Sequence, residues 1–197
     1  MEKPVLFCAT SNAGKLREFR SAAAGSLTIE TLPGLADIRV PEETGNTFEA
    51  NAILKAVYYG GFTDGMILAE DSGLEVEALG GAPGVYSARF AGAGATDETN
   101  NALLLEKLQG VTDRRARYVC VIALARRGVM IGTYCATVEG EILTERRGNS
   151  GFGYDPLFYY PPFGCTFGEA SMEKKQTVSH RGEAVRRMIG CLNAREC

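Results

Sequence analysis

The 197-residue chain has a single histidine, and its six cysteines include no C-x-x-C pair. Cys8, Cys120, Cys135, Cys165, Cys191 and Cys197 are too scattered for a Cys/His zinc set of ordinary spacing. They read as buried or incidental thiols in a reducing compartment. Positive charge is in deficit, with 21 Lys and Arg against 24 Asp and Glu and a net charge of -3. Without an overall basic field the chain is poorly suited to hold a nucleic acid polymer by its phosphates. No apolar run is long enough to span a bilayer, and Met1-Glu2-Lys3 leads straight into a strand-like run with no signal-peptide core. The expectation is a soluble, cytoplasmic protein with neither membrane nor nucleic acid as partner. At this length a chain buries roughly 70% of its unfolded surface, so stability requires neither disulfides nor metal.

What is present centres on MILAEDSGL, residues 66–74. Residues 66–69 read as a buried strand, with Glu70, Asp71 and Ser72 at or just past its C-terminal end, where α/β sheets present ligand-contacting groups. Two adjacent carboxylates cannot both be desolvated without repulsion, so a cation, a donor or water must accompany them. A divalent metal is one answer, and an ordinary Asp-Ser-Gly turn is the other. Residues 5–9 read as a strand, and Thr10, Ser11, Asn12, Ala13, Gly14 and Lys15 form a turn into a helix carrying Leu16 and Phe19. Backbone N–H groups, hydroxyls and a lysine at a helix N-terminus suit phosphate, while Ser and Asn equally suit a plain cap. A Walker A loop is excluded, because Ala9 stands where it needs glycine and Leu16 where it needs Ser or Thr. Glu42 and Glu43 lie in the loop before a helix with Phe48, Ala52, Ile53, Ala56 and Val57 at helical spacing and Thr47 as N-cap. They form a second acidic pair, either approaching the first or left in solvent.

Farther along, residues 74–79 alternate as another strand, and Thr96 opens a helix with Asp97 and Glu98 in its first turn. Residues 116–125 and 129–138 read as a hairpin joined near Arg126-Arg127-Gly128, with Glu139-Gly140-Glu141 as the next turn. This hairpin points to a second lobe and a ligand groove. GNSGFGYDP, residues 148–156, is a glycine-rich loop of the kind that brings backbone close to something flat or charged, but it lacks the continuation of a dinucleotide fingerprint. Ser179 caps a final amphipathic helix, which leaves His180 and Arg181 in its first turn. Cations there oppose the helix dipole unless an anion or acceptor meets them.

Six motifs stand in order: Thr10-Ser-Asn-Ala-Gly-Lys15, Glu42-Glu-Thr-Gly45, Glu70-Asp-Ser-Gly73, Gly81-Ala-Pro-Gly-Val-Tyr-Ser-Ala-Arg-Phe90, Gly151-Phe-Gly-Tyr-Asp-Pro156 and Ser179-His-Arg181. Together they resemble the bacterial branch of the inosine triphosphate pyrophosphatase family, the Ham1-like non-standard purine NTP pyrophosphatases. The resemblance implies an α/β fold with an elongated mixed β-sheet flanked by helices. It implies one domain over 1–197 with two lobes, the second near 74–147, a central cleft, and a homodimer. It further implies Mg²⁺-dependent hydrolysis of ITP, dITP or XTP to the monophosphate and pyrophosphate. Carried over by position, residues 10–15 grip the triphosphate, Glu42 and Asp71 hold magnesium, and Asp71 accepts a proton from the attacking water. Ser72 touches substrate, Phe152, Gly153, Tyr154 and Asp155 shape the nucleobase and sugar pocket, and Lys175, His180 and Arg181 complete it. The chain departs from its relatives at Glu70, where some carry Asp, at Gly168, and in having Lys174 beside Lys175.

The residues support the same chemistry. A triphosphate carries about four negative charges, which calls for Lys15, Lys175 and a metal. Arg181 only donates, so in a closed pocket it would favour the 6-keto oxygen of hypoxanthine or xanthine over an adenine amino group. Guanine shares that keto group, so its exclusion lies elsewhere. Competing readings are a Maf-type pyrophosphatase acting on pyrimidine or modified nucleotides, a nucleotide sensor without catalysis, and an interaction domain.

Overall fold

The computed structural model describes residues 4–194, so Met1-Glu2-Lys3 and Cys197, named above, lie outside the described residues. Seven strands form one mixed sheet in the order β2-β1-β3-β4-β5-β6-β7. These are β1 (Val5–Cys8), β2 (Thr28–Thr31), β3 (Met66–Val76), β4 (Arg115–Arg126), β5 (Val129–Ile142), β6 (Phe158–Tyr160) and β7 (Cys165–Thr166). β1 runs parallel to β2 and β3, with Phe7 opposite Ile67 and Cys8 opposite Leu68. β5, β6 and β7 pair antiparallel. The helices are α1 (Ala13–Ala23), α2 (Phe48–Gly60), α3 (Asp97–Lys107), α4 (Met172–Gln176) and α5 (His180–Ala194).

Local chemistry accounts for the boundaries. Side-chain oxygens of Asn12, Thr47 and Thr96 accept from Lys15, Ala50 and Thr99 N–H groups and so start α1, α2 and α3 at orphan backbone donors. The β4–β5 hairpin turns through Arg127 and Gly128, both at positive φ (52° and 74°), the conformation that a tight two-residue turn demands.

Three expected boundaries fail, the first being the strand read over residues 74–79, which ends at Val76 and gives way to a 3-10 turn over Glu77–Leu79. β3 does not stop at Ala69 but runs eleven residues in all, on through Glu70, Asp71 and Ser72 to Val76, where buried partners rather than solvent satisfy its carboxylates. Glu139-Gly140-Glu141 is likewise not a turn but part of β5. A Cβ on Gly140 would lie 2.5 Å from the Tyr159 carbonyl oxygen and 2.6 Å from the Phe158 ring, so the glycine admits β6 rather than breaking β5.

The chain divides into two compact units. The first comprises the described parts of Met1–Asp71, Cys120–Ala136 and His180–Cys197. Its core gathers Leu6, Phe19, Leu68, Ile122, Leu124, Val185 and Met188 with α1 packed on α5. The second comprises Ser72–Val119 and Thr137–Ser179, with a core of Leu74, Leu104, Tyr118, Leu157, Phe158 and Phe167. Cys8, Cys120, Cys135 and Cys165 are free, whereas Cys191 is disulfide-bonded, a departure from the reading of every cysteine as a thiol. Among the described residues no helix is long and apolar enough to cross a membrane.

Candidate active site

In the first unit, β3 carries Glu70 and Asp71 side by side, and strand alternation sends them to opposite faces of the sheet. Glu70 turns toward α1 and α5. Lys15 Nζ donates to its Oε2 at 2.8 Å, while Arg181 Nε and Nη2 donate to its Oε1 at 3.1 and 3.0 Å. Burial alone would raise the pKa of Glu70, but Lys15, Arg181 and Lys55 outweigh it and hold the carboxyl well below the usual range. Arg181 also donates to Glu18 of α1, and burial, which would weaken its charge, is overcome by Glu18 and Glu70. Arg181 at the start of α5 therefore meets two anions, as the dipole argument required of a cation there.

Asp71 turns toward α2. Lys55 Nζ donates to its Oδ1 at 2.8 Å and Asn51 Nδ2 to its Oδ2 at 3.3 Å. Lys55 also donates to Glu43 Oε1 at 2.7 Å, and Asn51 Oδ1 accepts from the Gly45 N–H at 2.8 Å. A Cβ on Gly45 would sit 2.6 Å from that Asn51 oxygen, which accounts for the glycine closing the Glu-Glu-Thr-Gly motif. Burial raises the pKa of Asp71 against the pull of Lys55, and Glu70 and Glu43 push it the same way, so it holds a proton more firmly than an ordinary aspartate. Lys55 is raised as well, its desolvation outweighed by Asp71 and Glu70.

Glu43, not Glu42, is the loop carboxylate that reaches the Asp71 cluster. Glu42 is exposed and lines a cavity of about 530 Å³ with Arg39, Val40, Pro41 and Tyr58. Glu43 and Asp71 each accept from the Lys55 ammonium, so the two carboxylates face a common cation. That donor set fits a magnesium-type ion, which takes one or two carboxylates and leaves its other positions to water and phosphate. No group of three or more His, Cys, Asp or Glu able to hold a metal occurs among the described residues. Thr10 and the exposed Ser11, Asn12 and Ala13 lead into α1, with Asn12 serving as its cap. Gly14 and Lys15 follow, half-buried. His180 is buried at the start of α5.

In the second unit, residues 151–155 form a loop braced from inside. Asp155 Oδ2 accepts from the Phe152 N–H at 3.0 Å and from Lys175 Nζ at 2.6 Å, and its Oδ1 accepts from Tyr118 at 3.3 Å. Lys175 is 3% exposed and lies 5.3 Å from the Phe152 ring centroid, whereas Lys174 is exposed over Phe163. Lys175 is therefore the lysine that belongs to the loop. Tyr154 is buried, with its hydroxyl donating to the Ser87 carbonyl at 2.9 Å. Gly153 and Ser72 are half-buried.

A family model described as Ham1 family matches residues 6–191. The chain belongs to the Ham1 family. It is 51% identical over 197 residues to a dITP/XTP pyrophosphatase of Acidobacterium capsulatum, covering 95% of this chain and 97% of that protein. A Thermus thermophilus protein of the same description is 48% identical, covering 92% and 88%. The Ham1 protein of Staphylococcus aureus superposes with a TM-score of 0.86 at 40% identity, covering 97% of this chain and 99% of that one.

Within this Ham1 chain, sequence reasoning passed over Lys55, Asn51 and Glu18. Asn51 and Glu18 sit in the buried stripes of their helices, Asn51 beside Phe48, Ala52 and Ala56 and Glu18 beside Phe19, and half-buried Lys55 lies one turn from Asn51. A polar residue in an apolar stripe needs a buried partner, and that was the available signal.

Proposed function

We propose that the protein hydrolyses non-standard purine nucleoside triphosphates (ITP, dITP, XTP) to the monophosphate and pyrophosphate, clearing them from the nucleotide pool. The single observation that carries this reading is the pair of neighbouring carboxylates, each with its own lysine, Glu70 with Lys15 and Asp71 with Lys55. Names of close relatives agree with it, since they are dITP/XTP pyrophosphatases. The two part-buried acid–lysine pairs favour this reading over a sensor or interaction domain.

In this proposal the turn of residues 10–15 offers backbone N–H groups and Lys15 to the polyphosphate, with Glu70 and Arg181 fixing the lysine's direction. Asp71, whose proton affinity is already raised, takes the proton of the water that opens the α–β phosphoanhydride, and pyrophosphate departs. Lys55 and Asn51 hold Asp71 in place. Asp71 and a loop glutamate would hold Mg²⁺, which when bound would neutralise phosphate charge and lower the pKa of a bound water. The position of Glu43 makes it the better candidate than Glu42. Ser72 contacts substrate, Phe152 stacks on the purine, and Gly153, Tyr154, Asp155 and Lys175 shape its pocket. Arg181, whose Nε and Nη2 donate to Glu70 and whose Nη1 donates to Glu18, is the residue proposed to read a 6-keto oxygen. A homodimer in the cytoplasm is part of the same proposal.

The deciding experiment is a panel of purine and pyrimidine triphosphates assayed for monophosphate and pyrophosphate with magnesium, wild type beside Asp71→Asn. Purine-selective turnover that vanishes in the folded variant is expected. Pyrimidine-selective turnover would favour the Maf-type reading, and near-normal ITP hydrolysis in Asp71→Asn would remove Asp71 from its role.

A further inference from the structure

The loop of residues 151–155 is held a second time from outside, by the first two turns of α3. The Gly153 N–H donates to Asp97 Oδ2 at 2.6 Å, and Asn101 Nδ2 donates to the Gly153 carbonyl at 2.8 Å. Asp97 and Asn101 are four apart, so one helix face supplies both an acceptor and a donor to the two sides of a single residue. Gly153 stands at φ +62°, which allows the chain to turn back between Phe152 and Tyr154.

Asn101 occupies a position of the α3 stripe that also contains Leu104, and it is fully buried. Its Oδ1 is buried without a hydrogen-bond partner. An apolar side chain there would avoid stranding an acceptor, so what the amide contributes is its two donor bonds, to the Asp97 and Gly153 carbonyls. The neighbours of Gly153 differ in kind. Tyr154 is locked inside by Ser87, while Phe152 is half-buried with its ring beside Lys175. Rotation of the Gly153 peptide would therefore redirect Phe152 and leave Tyr154 anchored.

We propose that Asp97 and Asn101 are positioning residues for base recognition, fixing the Gly153 peptide and through it the aim of Phe152. The inference rests on the reading of residues 152–155 as the nucleobase pocket. Neither residue touches the substrate. Their contribution falls on binding of the purine and not on the phosphate chemistry of Lys15 and Asp71.

The test compares wild type with Asn101→Leu, Asp97→Ala and Asp97→Asn. It reads KM and kcat for ITP, the inhibition constant of inorganic tripolyphosphate, which has no base, and the thermal midpoint. In Asn101→Leu and Asp97→Ala, loss of one of the two hydrogen bonds that α3 makes to Gly153 should raise KM for ITP about tenfold. In the same variants kcat and the tripolyphosphate constant should stay within about twofold. Asp97→Asn retains an acceptor oxygen and should restore the wild-type KM. An unchanged KM in folded Asn101→Leu overturns the proposal, as does a parallel rise of KM and the tripolyphosphate constant. Should Asp97→Ala not fold, Asn101→Leu and Asp97→Asn decide the matter. Wild type that ignores ITP overturns the functional reading itself, a result separate from an indifferent variant of an active enzyme.

Discussion

Arg181 shows how a side chain can be tied down by its neighbours. Its guanidinium is 3% exposed and shared between Glu18 and Glu70. Removing it takes the shared guanidinium from two buried carboxylates, with Lys15 still on Glu70, so Arg181→Ala should lower unfolding free energy by about 3 to 5 kcal/mol in urea titrations. Arg181→Lys should recover only part of that loss, because a single ammonium cannot span both acids. The pH response of Glu70 follows from its depressed pKa. The unfolded state binds its proton first, so the stability that Glu70 contributes is full above its ordinary value of 4.5 and declines as pH falls below it. Urea midpoints measured in EDTA between neutral and acidic pH should fall more steeply in wild type than in Glu70→Gln. These partnerships were only half legible in the sequence. Arg181 at the start of a helix announced the need for an anion, but its partner Glu70 lies 111 residues away, and no local pattern connects the two.

Elements were readable wherever their ends carried their own chemistry. Asn12, Thr47 and Thr96 are caps by type and by spacing, and Arg127-Gly128 is a turn by its backbone demands. Misreadings arose where a residue normally found in turns sat inside a strand for tertiary reasons. Glu70, Asp71 and Ser72 resemble a strand end until Lys15, Arg181 and Lys55 are present to neutralise the acids. Gly140 reads as a turn until β6 lies against it. Gly140→Ala should therefore cost about 1 to 3 kcal/mol by overpacking against Phe158 and Tyr159, despite the usual preference for alanine within a strand, and thermal melts would reveal it. A midpoint equal to wild type would mean that β6 yields easily.

For the molecule as a whole, each unit has its own apolar core, and neither core includes a residue proposed to hold metal. EDTA should abolish pyrophosphate release while leaving the thermal midpoint nearly unchanged, in contrast to domains whose folding depends on a metal. A large drop in the midpoint on chelation would place the ion among the determinants of folding. The units themselves are interleaved along the chain, since Cys120–Ala136 and His180–Cys197 return to the first one. Six ordered motifs revealed the family but not that threading, which depends on where long strands cross from one core to the other.

One consequence remains in the placement of two successive acids on a sheet only one strand thick. Their assignments are set by odd and even position alone, so a single codon lost or gained just upstream in β3 would exchange them, sending each acid to the other's lysine. Strand register, as much as residue identity, is what this enzyme must preserve.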